Sequence, residues 1–262
     1  MAAIVLFLSP HLDDAVFSAG ALIAAQAPGA AVVATAFTAT VRDPGAFALA
    51  CQTDKGIPAE VDYMALRRAE DERACALLGA ATEHLGFAEA PHRGYDSPEA
   101  LFAELSPRDE VVDPLTARLR ELIGERAPAA VCYPVGVGDH VDHRQLIAAV
   151  ERLRPAFPGL RWVRWYDQPY TVRHRRDYPE LSFARRVRGL AEVGEDVCAV
   201  HYAEPERAPD GPLARKVRAA ASYTTQVPYQ FYEALGLAVA DEPDAPSRIA
   251  RVLGRREWFV GI

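Results

Sequence analysis

Three apolar runs constrain this chain more than any other feature: AAIVLFL (residues 2–8), AAVVATAFT (residues 30–38) and AAVCYPV (residues 129–135). None alternates polar with apolar, so neither face of such a strand is meant for water. Strands covered on both faces are characteristic of parallel sheets. Between the runs the periodicity changes to apolar residues three and four apart, as in DDAVFSAGALIAAQA, VDYMALRRAEDERACALLGA, DPLTARLRELIGERAP and DHRQLIAAVERLR, which is a helical pattern. TEHLGF and LRWVRWYDQPY supply a third and a fifth strand. The alternation predicts an α/β fold, a mostly parallel sheet with helices on both faces. Asp113 is placed to cap the helix that ends at Pro128. The last part, from about residue 170, is less regular. It holds an arginine-rich tract (residues 173–188) and the helical stretch PLARKVRAAASYTTQ. With no repeats and no low-complexity linker, residues 1–262 read as one domain.

Charge narrows the function. A net charge of −7 and a pI near 5.5 argue against nucleic acid as a partner. No apolar run approaches the ~20 residues of a membrane span. The first run is too short for a secretion signal, so a cytoplasmic protein is expected. Four single cysteines with no CxxC spacing read as small hydrophobes.

In open parallel sheets, ligands bind beyond the carboxyl ends of the strands. Just past the first strand come His11, Asp13 and Asp14. Just past the fourth come His140, Asp142 and His143. Either cluster alone reads as helix capping, with Asp13 or Asp14 on the first helix and Asp139 or Asp142 on the second. Two such clusters delivered to one sheet edge fit zinc chemistry better: His11 and Asp14 at i, i+3, and His143 as a third ligand beside an open position. Asp13 and His140 are then free for proton transfer. His84, His92, His174 and His201 read as non-ligands.

SPHLDD resembles the Pro-His-x-Asp-Asp motif of the PIG-L/LmbE-like zinc N-deacetylases, and GDHVDH resembles their second motif. RRAEDERACALLG, YDQPY and KVRAAASYTTQ extend the resemblance over most of the chain. The resemblance implies a Rossmann-like fold holding one Zn²⁺ through His11, Asp14 and His143. It implies Asp13 as general base, and His140 as general acid or oxyanion stabiliser, oriented by Asp142. Substrates in this family are N-acylated amino sugars, chiefly N-acetylglucosaminyl conjugates. Arg67 is read as a contact for sugar hydroxyls or phosphate, or else as a solvated ion pair with Glu70. Two departures stand out. Asp139 precedes His140 where a small glycine is usual. Gly138 stands where some members carry an oxyanion-binding tyrosine, which leaves Tyr133, Tyr166 or Tyr170 for that task. The loops at residues 40–59 and 90–110 and the segment 166–170 are expected to line the site. Two other functions compete: a metal hydrolase of another bond, such as a phosphoester or thiol conjugate, and a non-catalytic sugar- or nucleotide-binding protein.

Overall fold

The computed structural model describes residues 2–172, 197–203, 207–233 and 245–261. The arginine-rich tract and His174 lie outside the described residues. Five parallel strands run β1 (Val5–Ser9), β2 (Ala31–Phe37), β3 (Ala81–Phe87), β4 (Ala130–Pro134) and β5 (Arg161–Trp165). Two further strands, β6 (Val197–His201) and β7 (Arg256–Val260), join antiparallel, giving the order β3-β2-β1-β4-β5-β7-β6. The 3-2-1-4-5 portion is the doubly wound, Rossmann-like arrangement.

Alternation along each buried strand sends side chains to two cores. Phe7, Val33 and Cys132 point to a layer formed by α1 (Asp14–Ala24), α3 (Tyr63–Leu78) and, near the C-terminus, α6 (Pro212–Ala220) and α7 (Ala245–Leu253). Leu6, Leu8, Val131 and Tyr133 point the opposite way, to α4 (Val112–Arg126) and α5 (Val141–Leu153). Both faces are therefore covered, which is why the strands carry no polar alternation. Among the described residues, no helix is long and apolar enough to cross a membrane.

Several boundaries were written locally. Gly79 ends α3 in the left-handed conformation (φ 74°), which a residue with a Cβ adopts only at a cost. Asp113 does not cap α4: the helix starts one residue earlier, at Val112, and Asp113 pairs with Arg152 instead. One helix, α2 (Ala46–Thr53), lies within the region read as loop. Cys75 and Cys132 are buried, whereas Cys51 is half-buried and Cys198 exposed.

The chain leaves β1 for β2 and β3 on one side, then returns to place β4 on the other. β1 and β4 are thus the neighbours between which the winding reverses, and ligands bind at such a switch point. Both His/Asp clusters follow these two strands.

Candidate active site

The Asp carboxylates after β1 are not helix caps. The side chain of Asp13, which occupies the N-cap position of α1, makes no capping bond. The amide of Ala15 donates instead to Ser9 Oγ at 3.0 Å, and Ser9 Oγ donates to the His11 carbonyl at 2.7 Å. Asp14 accepts the His11 backbone N–H at 2.9 Å. On α5, His140 is itself the cap, its Nδ1 accepting the Asp142 amide at 3.2 Å. Neither Asp139 nor Asp142 caps that helix. Asp139 takes the left-handed conformation (φ 58°), which Asp tolerates better than most residues.

His11 Nδ1 and His143 Nε2 each lie 3.2 Å from the same oxygen, Asp14 Oδ2. These three atoms all fall within 4.8 Å of one another. The far side of each imidazole is held by a carboxylate. His11 Nε2 is 2.9 Å from Asp142 Oδ2, and His143 Nδ1 is 2.8 Å from Asp167 Oδ1. Asp167 also accepts the amides of Gly136 (2.8 Å) and Val137 (2.9 Å), and Asp142 accepts the Ala90 amide and the Arg93 guanidinium. Carboxylates so placed accept hydrogen bonds from the ring N–H groups, so the opposite nitrogens are the ones that can give a lone pair to a cation once it displaces their protons. His143 Nε2 is accordingly buried without a hydrogen-bond partner. Two imidazole lone pairs facing one carboxylate oxygen, each ring backed by an acid, suit a divalent cation. His11, His140 and Asp142 form a second close group. It shares His11, so a cation there would need the other His11 tautomer, with the proton on Nδ1, and would compete with one held by His11, Asp14 and His143.

The electrostatics agree with that reading. Burial works against charge on His11 and His143, but Asp14 with Asp142 lifts His11 well above the usual imidazole range. Asp14 with Asp167 lifts His143 to about 9. Asp14 is held well below the usual carboxylate range, burial being outweighed by the two histidines. The protein's own charges thus favour positive charge at this spot.

Asp13 and His140 stand apart from the His11, Asp14 and His143 group. Burial and the neighbouring charge of Asp14 raise Asp13 to about 7, with Arg67 opposing. Burial, helped by cationic His11, pushes His140 down to about 3. At about 3, His140 keeps a neutral ring at neutral pH. The carboxylate of Asp142 does not orient it: that carboxylate serves His11, and only the Asp142 backbone amide touches His140. With Nδ1 accepting that amide, the His140 proton sits on Nε2.

These groups open onto a cavity of ≈240 Å³. Phe47, Cys51, Asp54 and Lys55 line it from the first expected loop, and Pro91, Pro98, Leu101 and Phe102 from the second. Tyr170 lines it from the segment after β5. Gly138 is required here: with φ 97°, an added Cβ would meet Tyr170 Cδ1 at 2.7 Å. The Tyr170 ring, 5.5 Å from that of His143, takes the space a larger residue at 138 would need. Tyr133 is directed elsewhere, its hydroxyl bonding Glu151. Arg67 is not on a solvated face. It is 5% exposed, bonds Glu89 at 2.5 Å and stands 3.9 Å from Asp13. Its i+3 neighbour Glu70 bonds Thr224 and Thr225 instead.

Sequence reasoning missed Asp167, Arg93 and Glu89. A signal existed for Asp167 alone, since it stands two residues past the end of β5 on the same sheet edge.

The geometry accords with comparisons to known proteins. A curated relative, 2'-N-acetylparomamine deacetylase of Streptomyces fradiae, is 36% identical over 189 residues, which cover 71% of this chain and 63% of that protein. The aligned part is thus less than two thirds of that relative's length. A solved deacetylase of the teicoplanin biosynthesis pathway superposes with a TM-score of 0.72 at 24% identity, covering 98% of this chain and 96% of that one. The A40926 pseudoaglycone deacetylase Dbv21 superposes at 0.70, also 24% identical, covering 100% and 97%. At such identity these two establish a shared fold, and a fold by itself does not carry an activity. The family model described as PIG-L, GlcNAc-PI de-N-acetylase, matches residues 6–153, more than half of the sequence and both His/Asp clusters, and the chain belongs to that family.

Proposed function

We propose that this chain is a zinc-dependent N-deacetylase of an amino-sugar conjugate, releasing a free amine and a carboxylate. One observation carries the reading. His11 Nδ1, Asp14 Oδ2 and His143 Nε2 converge on one point, and Asp13 and His140 line the same cavity without belonging to that set. The deacetylase named among the relatives supports the choice of an N-acetyl amino sugar.

His11, Asp14 and His143 would hold the metal. When bound, zinc supplies a Lewis acid that polarises the acyl oxygen and lowers the pKa of a water. Asp13 takes the proton of the attacking water, a task suited to a carboxylate whose affinity for protons burial has raised. His140 donates its Nε2–H to the acyl oxygen as negative charge develops there, and needs no positive charge to do so. Because His140 is held neutral, Asp13 is the better source of the proton that the departing amine requires. Asp142 and Asp167 keep His11 and His143 in the tautomers that face the metal. Arg67 steadies Glu89 and Asp13 and reaches the sugar from the cavity wall. Two aromatic side chains exposed at the rim, Phe102 (46%) and Tyr229 (41%), offer flat faces to sugar rings.

The test is a mass-spectrometric time course of zinc-loaded protein on matched N-acetylglucosaminyl and aminoglycoside-type conjugates. Stoichiometric appearance of amine and acetate is expected. Simple N-acetylglucosamine should react more slowly, because binding of remote groups helps orient the reacting centre. Cleavage of a phosphoester or thioether in those molecules with the acyl group retained would replace deacetylation by another hydrolysis.

A further inference from the structure

The Asp142 carboxylate is fully buried and has three donors. His11 Nε2 (2.9 Å) and the Ala90 amide (3.0 Å) share Oδ2, while Arg93 Nη2 alone serves Oδ1, at 2.7 Å. Arg93 is committed on every side. Its Nε and Nη2 grip the two oxygens of Asp109, each at 3.0 Å, and its Nη1 donates to the Ala88 carbonyl at 2.5 Å. Its guanidinium lies 4.7 Å from the centre of the Phe37 ring. Asp109 is fixed in turn by the Tyr95 hydroxyl (3.1 Å) and by Gln145 Nε2 (2.9 Å). Gln145 belongs to α5, two residues after His143, so the network returns to the helix that carries a ligand. Between Ala90 and Asp109 runs the loop that contributes Pro91, Pro98, Leu101 and Phe102 to the cavity.

A residue that only stapled this loop would need Asp109 and the Ala88 carbonyl. The third arm, to Asp142, leaves the loop for α5 and the carboxylate behind His11. It completes a carboxylate that would otherwise keep one buried oxygen without a donor, a costly state. Only a planar fork can serve Asp109, Ala88 and Asp142 together; an ammonium is a single point.

We infer that Arg93, braced by Asp109, is a positioning residue for the metal centre: it holds Asp142 against His11 and ties the cavity loop to the ligand geometry. This rests on the metal-ligand reading above. Metal binding is measured without substrate, so it stands or falls separately from the deacetylase reading.

The experiment uses the full chain with Arg93→Met, Arg93→Lys and Asp109→Asn. Zinc affinity is read by chelator competition, ligand geometry by the visible absorption of the cobalt-substituted protein, and folding by circular dichroism. Arg93→Met should lose about 10–100-fold in metal affinity, the range for partners that orient a ligand histidine, and shift the cobalt bands. Arg93→Lys should recover part of the loss, and Asp109→Asn should lose less than Arg93→Met. If Arg93→Met fails to fold, the other two decide. Folded Arg93→Lys and Asp109→Asn with unchanged zinc affinity and cobalt spectrum would overturn the proposal and leave Arg93 a loop staple.

Discussion

Two buried polar clusters have opposite characters. The first joins α3 to the segment after α6. Glu70, wholly buried, accepts Thr224 Oγ1 (2.6 Å), the Thr225 amide (2.9 Å) and Thr225 Oγ1 (2.6 Å). Next to it, Asp71 accepts the Tyr223 hydroxyl at 2.7 Å and pairs with His84 at 2.9 Å. The second cluster is the His/Asp set at the switch point, where His143 Nε2 lacks a hydrogen-bond partner and a cavity opens above. A buried polar network whose members all find donors and acceptors specifies a fold. One that crowds two imidazole nitrogens on a single carboxylate oxygen beneath a cavity keeps room for something the chain does not itself supply. Burial and charge are alike in the two; saturation distinguishes them.

The largest effect is expected from Asp13→Asn. It should lower kcat by about 10²–10⁴, the range for loss of a general base, with about one metal equivalent retained and the melting temperature unchanged. Paired metal analysis, melting curves and kinetics check it. Retained activity would make Asp13 another saturated structural acid and blur the contrast.

Glu70→Ala should have the opposite signature. It strands the Thr225 amide and two hydroxyls in a dry site, so stability should fall by about 3 kcal/mol or more. The metal affinity of the remaining folded protein should be nearly unchanged. Denaturant unfolding with zinc titration tests this.

Asp167→Asn sits between these cases. The amide still reaches His143 but no longer takes its proton reliably, so metal affinity should drop about 10–100-fold with a smaller loss of stability. Chelator competition and melting curves separate the two quantities.

The smallest effect is a pH dependence confined to metal-free protein. His143, raised to about 9, keeps its proton when folded at pH values where the unfolded chain has lost it. Its stabilisation is complete below the unfolded value of about 6.5 and is lost as pH rises toward 9. Asp13, raised to about 7, acts with the same sign between about pH 4 and 7, because the folded form again binds more protons. The melting temperature of chelator-treated protein should therefore fall from pH 6.5 to 9. Zinc-loaded protein should show a flatter profile, since the cation replaces the protons. Equal slopes with and without zinc would place the titration outside the metal site.

Much of this was legible in the chain because it is local. A strand buried on both faces must be apolar throughout, so β1, β2 and β4 appear as runs. A helix shows its period, and Gly79 marks an end. The C-terminal pair β6 and β7 went unread because REWFV carries Arg256 and Glu257, and VCAVH is a single five-residue run set in charged, aperiodic sequence. Glu257, on β7, is buried because Lys216, the Tyr202 hydroxyl and the amides of Ala21 and Leu22 meet it there. Those amides are available because α1 departs from helical geometry at Ala19, between Ser18 and Gly20.

By itself, the sequence determined that two His/Asp clusters would arrive at one edge of a parallel sheet, because strand ends and helix starts follow from hydrophobic period and turn residues. Which carboxylate serves which imidazole was settled only in three dimensions. Asp142 is two residues from His140 yet turns to His11, 131 positions away, and Asp167 reaches back 24 positions to His143. A side chain chooses its partner by distance and direction in the folded chain, and proximity in sequence fixes neither. The tertiary structure alone therefore decided that His140 is neutral, that Tyr170 occupies the space over Gly138, and that Arg93 stands behind Asp142 and His11.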